Sequence, residues 1–187
     1  MKPIREMTIG EVAAHVAAHL RQGGIDVVLT GGSCVSIYTD NRYLSNDLDF
    51  IEVGRSARKK FAASLREIGF QAKDRYFTHP DTPYYVEFPS GPLAIGAEPA
   101  GAVAQLEFAT GSLRLLSPTD CVKDRLANYY HWHDRQCLEQ AIMVATETEV
   151  DLGEVERWSR REGMGEEYER IEALLKRTTK STLTRNK

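Results

Sequence analysis

The chain has 187 residues, 42% of them hydrophobic and 27% charged, and a net charge of −3. That length fits one large domain or two small ones with a sizeable core, and the acidic balance excludes a protein that coats nucleic acid through a strong basic surplus. No apolar run approaches the roughly 20 residues of a membrane helix. The start, Met1 to Glu6, lacks the apolar stretch of a signal peptide, and three cysteines without CxxC spacing read as reduced thiols, so no membrane association and a cytoplasmic location are expected.

In chain order, Thr8-Ile9-Gly10-Glu11 is a capping-box pattern, followed at helical spacing by Val12, Val16 and Leu20 and stopped by Gly23-Gly24. Ile25 to Thr30 is a continuous apolar run that suits a buried strand. Gly31-Gly32 breaks it, Ser33 to Thr39 reads as a short helix, and Asp40 to Asn46 as a polar loop. Asp47 to Val53 is the next strand. Ser56 is placed to cap a helix whose Phe61, Leu65 and Ile68 share a face, with Gly69 as its stop. From Phe70 to Leu116 the chain looks β-rich: a strand over Tyr84 to Phe88, a loop over Ser90 to Gly101, and a hairpin of 105–110 and 113–116 turning at Gly111-Ser112.

Ser117-Pro118-Thr119-Asp120 marks a change, with a serine cap, a proline at the first helical position and an acid in the first turn. Beyond it the chain reads as helix throughout. Val122, Leu126 and Tyr129 line the first piece, Leu138, Ile142 and Ala145 the second, Val155 and Trp158 the third, and Tyr168, Ile171 and Leu175 the last. His131-Trp132-His133, beside Tyr129-Tyr130, reads as a packed elbow between helices, with stacking on a base as the alternative. The expectation is an α+β fold: a mixed-sheet core over 1–116 backed by helices, a helical subdomain over 117–175, and a disordered basic tail over 176–187.

The chemistry sits between Val27 and Glu52. On a strand, residues i and i+2 point to one face, so Asp47 and Asp49 project together while Leu48 and Phe50 face the core. Two ionised carboxylates side by side call for a cation. Mg2+ suits them, being a hard ion that shares its shell with water and substrate phosphates; Mn2+ is the alternative. The plainer reading is a solvated acidic pair at a strand start. Gly31-Gly32-Ser33 lies between a strand and a helix, where glycines admit close approach and a helix start presents amides to an anion. Glu87, flanked by Val86 and Phe88, reaches the same ion if its strand lies beside Asp47 and Asp49, as a further metal ligand or as the base for an attacking hydroxyl. Otherwise it is the outward residue of an alternating strand.

Together these residues resemble the polymerase-β-like nucleotidyltransferase superfamily: Leu29-Thr30-Gly31-Gly32-Ser33, then Asp47-Leu48-Asp49-Phe50, then Val86-Glu87-Phe88. Arg42 and Ser45 resemble an Arg-x-x-Ser/Thr element of bacterial members, among them the AbiEii-type toxins and small stand-alone nucleotidyltransferases. The resemblance implies a small mixed sheet backed by helices and transfer of NMP from an NTP to an acceptor. It carries a catalytic and metal role onto Asp47, Asp49 and Glu87, and nucleotide binding onto Gly31, Gly32, Ser33, Arg42 and Ser45. Leu116-Ser117-Pro118-Thr119-Asp120, followed by Lys123, resembles the start of the helix after the catalytic core in AbiEii-like proteins, where the lysine faces the site; Lys123 is then a phosphate contact, or else a solvated helix lysine. The family's Arg-x-Lys-Asp-x-x-Asp run is incomplete here, leaving Asp134 and Arg135 for the acceptor side.

The function so implied is a Mg2+-dependent NMP transferase acting on a hydroxyl of an RNA or tRNA end, a protein or a small molecule. A toxin role would bring an antitoxin partner. The alternative is a non-catalytic binding or regulatory module that keeps the fold.

Overall fold

The computed structural model describes residues 2–54 and 58–176, without the side chains of Arg58 and Lys59. The expected cap Ser56, the basic residue Arg55 and the tail from Arg177 lie outside the described residues.

After a single 3-10 turn (Ile4–Glu6), helix α1 (Ile9–Gln22) opens on the expected capping box: Thr8 accepts from the Glu11 amide while Glu11 accepts from the Thr8 amide. Its buried side, Val12, Val16 and Leu20, follows the 3.6-residue period. Then come β1 (Val27–Thr30), α2 (Gly31–Tyr38), β2 (Asp47–Glu52), α3 (Arg58–Glu67), β3 (Gln71–Lys73), β4 (Tyr76–Thr78) and β5 (Tyr85–Glu87). A small hairpin, β6 (Ala94–Ile95) and β7 (Glu98–Pro99), precedes β8 (Val103–Phe108) and β9 (Gly111–Leu116). Helices α4 (Pro118–Trp132), α5 (Arg135–Glu147), α6 (Leu152–Arg161) and α7 (Gly165–Lys176) complete the chain. Among the described residues no helix is long and apolar enough to cross a membrane.

The main sheet runs β3-β4-β5-β2-β1-β9-β8. The pairs β1–β9 and β2–β5 are parallel and the others antiparallel, so the sheet is mixed, as expected. Leu29, Leu48, Phe50, Phe77, Val86 and Leu115 form its apolar face, all buried, with α1 against β1, β8 and β9. Helix α2 touches β1 and β2 and is held from outside by α4 and α5. One contiguous apolar cluster runs from Met7 to Leu175 and takes in the cores of α4 to α7.

Several local expectations are corrected. Helix α2 starts at Gly31 rather than Ser33, so the glycines form its first turn. The β8–β9 turn is Ala109-Thr110, and Gly111 and Ser112 already pair with Phe108 and Glu107. The stretch 90–101 is no plain loop, since it contains β6 and β7; Trp158 pins it by donating from Nε1 to the Ile95 carbonyl at 3.2 Å. In α4 the inward aromatic is Tyr130, stacked on Trp158 at 5.9 Å, rather than Tyr129. Trp132, two residues and about 200° further round the helix, is 79% exposed, so the elbow is not packed around it. In α5 the inward residues are Cys137, Gln140, Ala141, Val144 and Ala145, with Leu138 and Ile142 at the margin.

Candidate active site

The register decides what shares a face. Asp47 lies opposite Tyr85, and Asp49 opposite Glu87, across the parallel β2–β5 pair. On the far side of β5, Glu87 faces Tyr76 and Tyr85 faces Thr78. Residues opposite one another point the same way, so Asp47, Asp49, Glu87, Tyr85, Tyr76 and Thr78 stand on one sheet face. The strand containing Glu87 thus lies beside the acidic pair, as the argument from sequence required.

Asp49 is the most constrained of the three acids. Thr30 ends β1 opposite it and donates from Oγ1 to its carbonyl at 3.1 Å. Its carboxylate rests on the start of α2: a Cβ on Gly31 would stand 2.5 Å from Asp49 Oδ2. Gly31 also has φ +72°, a backbone region that costs side-chain-bearing residues. Glycine is therefore required here twice over. Burial first, then repulsion from Asp47 and Glu87, pushes the Asp49 carboxyl up to about 7. Asp47 accepts from Ser45 Oγ, and Ser45 is itself held by Ser36 Oγ, which accepts from the Ser45 amide at 3.0 Å. Glu87 pairs with Arg75 at 3.3 Å.

The first turn of α2 faces this group. A Cβ on Gly32 would meet Ser45 Oγ at 3.3 Å and the Tyr43 ring at 3.4 Å. The N-cap Thr30 makes no side-chain cap bond, a helix start of the kind that offers amides to an anion. Ser33 is fully buried and donates its hydroxyl to the Thr30 carbonyl at 3.0 Å, so it supports the turn from within.

Other expected residues lie further out. Arg42 pairs with Glu147 of α5. Asp134 caps α5, accepting from the Gln136 amide at 2.9 Å, and accepts from Cys137 Sγ at 3.3 Å. Arg135, beside it, is exposed. Lys123 is corrected: it is 3% exposed and bound to Asp120 at 2.7 Å and Glu154 at 3.1 Å. The cation of α4 whose charge reaches Asp49 is Arg125, two residues on and about 200° round the helix, and its partner Asp124 acts on Asp49 in the opposite sense. Arg125 donates to Asp124 from Nε at 3.0 Å and Nη2 at 2.5 Å, and from Nη1 to Gln140 at 3.4 Å. Nothing in the local sequence separates it from Lys123; only the angular position on α4 does. Tyr43 was also missed. Burial and the Asp47 carboxylate raise its phenol above the usual range.

Among the described residues, no three His, Cys, Asp or Glu side chains gather closely enough to form a protein-only metal cage. The donor set is instead two carboxylates two residues apart on one strand face, with Glu87 alongside. All are hard oxygen donors, and the mutual repulsion at Asp49 is relieved by a cation. That fits Mg2+, which is commonly held by one or two carboxylates together with substrate phosphates. A cavity of about 550 Å3 lies beside Glu52, Phe61, Phe88 and Gly91 at the other end of β2, and shares Arg75, the partner of Glu87, with the site.

No family model matches the sequence, and no curated protein matches it. Solved structures do match. An antigenic nucleotidyltransferase-like protein from Paracoccidioides brasiliensis has a TM-score of 0.59 at 13% identity, over 90% of this chain and 92% of that one. The antibiotic-resistance factor ANT(2'')-Ia in solution gives 0.53 at 14%, over 90% and 95%. A crystal structure of ANT(2'')-Ia in complex with adenylyl-2''-tobramycin gives 0.50 at 14%, over 80% and 92%. The chain therefore has a nucleotidyltransferase-like fold.

Proposed function

We propose that this chain is a Mg2+-dependent nucleotidyltransferase that moves NMP from an NTP to the hydroxyl of a small molecule. The observation that carries the reading is the strand register: Asp49 lies directly beside Glu87, two residues along from Asp47, with the carboxylate of Asp49 against the first turn of α2. Asp47 and Asp49 would hold the metal. When bound, Mg2+ supplies positive charge to the triphosphate and to the leaving pyrophosphate. The Gly31 and Gly32 amides at the α2 start cradle phosphate oxygens, and Arg125 adds a fixed positive charge from the α4 side. Glu87 takes the proton of the acceptor hydroxyl. The oxygen so freed forms a bond to the α-phosphorus as the bond to the bridging oxygen breaks, and pyrophosphate leaves with that electron pair. The protein's share of catalysis is positioning and charge balance.

A small-molecule acceptor is favoured over an RNA end because the acids outnumber the cations on the open face (described below), and because one structural neighbour is an antibiotic-resistance factor solved with an adenylylated aminoglycoside. The AbiEii-type toxin reading, with its protein or tRNA acceptor and antitoxin, rests on the Arg42–Ser45 element and the Leu116 to Lys123 motif, and Lys123 is turned to Asp120 and Glu154. The non-catalytic alternative predicts a module indifferent to Mg2+·NTP.

The test incubates the protein with each NTP radiolabelled on the α-phosphate, Mg2+, and in separate reactions an aminoglycoside, total RNA or cell lysate. Labelled product that disappears on removing Mg2+ and in the Asp47→Asn/Asp49→Asn variant is expected. Absence of any Mg2+-dependent NTP binding by titration calorimetry refutes the reading.

A further inference from the structure

The face that carries the three acids continues past them onto an open shelf. Tyr85 stands opposite Asp47, and Tyr76 opposite Glu87. The two tyrosine rings meet edge to face, 4.9 Å between centroids and 74° between planes. The Arg75 guanidinium lies 4.7 Å above the Tyr76 ring while pairing with Glu87 at 3.3 Å. The opposite face of β4 and β5 is closed by buried Phe77 and Val86. This face instead has half-buried Tyr76, Thr78 and Tyr85, and among the described residues no helix makes more than marginal contact with β4 or β5. A cavity of about 300 Å3 opens there, lined by Lys73, Asp74, Tyr76, Thr78 and Tyr85. None of these residues has a part in the nucleotide chemistry proposed above.

We propose that the Tyr76–Tyr85 shelf is the acceptor subsite, and that it seats one hydroxylated, amine-bearing ring with a hydroxyl turned toward Glu87. The inference rests on the nucleotidyl-transfer reading and adds the place and chemical class of the second substrate. Three observations select the class. A volume of about 300 Å3 is at the small end of ligand sites and holds a single ring unit. Tyrosine faces suit the C–H side of a saturated ring and attract cations. The charges on and beside the shelf are Asp47, Asp49, Asp74 and Glu87 against Lys73 and Arg75, with Arg75 and Glu87 paired to each other and the Arg125–Asp124 pair near Asp49 adding no net charge. That balance attracts an ammonium group and repels a phosphodiester chain. The acceptor oxygen then approaches from the β5 side of Asp49 while the triphosphate lies on the α2 side, the opposed arrangement that in-line displacement needs.

The experiment uses the full chain with Mg2+ and a non-hydrolysable α,β-methylene NTP, and tobramycin as the probe. Titration calorimetry is run on the wild type, Tyr76→Ala, Tyr85→Ala and Tyr76→Phe, beside the thermal shift that Mg2+·NTP causes in each. Expected is tobramycin binding that weakens at least tenfold in both alanine variants, stays within threefold in Tyr76→Phe, and leaves the nucleotide shift unchanged. Tobramycin binding equally well to all four proteins, no tobramycin binding at all, or an RNA oligonucleotide with a free 3'-hydroxyl binding in its place overturns the proposal. A missing nucleotide shift in the wild type overturns the nucleotidyl-transfer reading instead, and tyrosine-dependent tobramycin binding would then leave the shelf standing as an amino-sugar site.

Discussion

Replacing Gly31 with alanine perturbs the junction between the acids and the α2 start at one atom. The position has φ +72°, and the added Cβ would lie 2.5 Å from Asp49 Oδ2. The backbone term for an alanine in the left-handed region is about 1–2 kcal/mol. Relieving the contact turns the Asp49 side chain off its rotamer by tens of degrees, which costs about 0.5–1.5 kcal/mol more. Gly24 supplies the control: φ +71° and nothing within 4 Å of its built Cβ. Gly24→Ala therefore carries the backbone term alone. Gly31→Ala should melt below Gly24→Ala by roughly 2–4 °C for each kcal/mol of the difference, as read by differential scanning calorimetry. It should also lose the thermal shift caused by Mg2+·NTP, which Gly24→Ala retains. Equal melting temperatures together with an intact nucleotide shift in Gly31→Ala would refute the placement of the Asp49 carboxylate against the helix start.

The Asp49 carboxyl, raised to about 7, gives a pH test. Between the ordinary aspartate value near 4 and about 7 the folded protein binds more protons at this group than the unfolded chain, so this contribution to stability falls as pH rises through that window. Without divalent ions, Asp49→Asn should therefore melt above the wild type at pH 8 and converge with it near pH 4; a variant less stable than the wild type at pH 8 contradicts the charge argument. Lys123→Met leaves buried Asp120 without its cation and should cost about 3–5 kcal/mol, lowering the denaturation midpoint while leaving Mg2+·NTP affinity unchanged. Arg125→Gln should weaken Mg2+·NTP binding at least tenfold, as expected for a charge-assisted contact of about 1.5–3 kcal/mol. Unchanged affinity in the glutamine variant would remove Arg125 from the triphosphate side.

What could be read from the sequence, and what could not, divides along a physical line. Strand alternation has period two, so Asp47 and Asp49 on one side and Leu48 and Phe50 on the other followed from spacing alone, and the structure repeats that split. The capping box at Thr8 and the Ser117-Pro118 helix start are likewise local hydrogen-bond chemistry, complete within four residues. Glu87 needed one step more, a strand pairing, which the apolar flanks Val86 and Phe88 made reasonable but did not fix. Side-chain destinations were harder. Ser33 looked like a ligand contact because a hydroxyl follows two glycines, yet starting α2 at Gly31 turns that hydroxyl back onto Thr30. The same limit governs α4. Lys123 and Arg125 carry like charge two positions apart, and Tyr130 and Trp132 are aromatic two positions apart. In each pair a rotation of about 200° sends one member inward and the other away. Helical spacing fixes that the members of a pair differ, but which member turns its charge toward Asp49 or stacks on Trp158 depends on the azimuth at which α4 docks. That docking is set by residues distant in the chain: the Tyr130 hydroxyl against Ser159 Oγ at 3.0 Å, Lys123 against Glu154 at 3.1 Å, and the Asp151 amide donating to Thr119 Oγ1 at 3.0 Å. The charge that reaches the acids is thus chosen by packing remote from the acids, and no motif centred on Asp47 and Asp49 contains it.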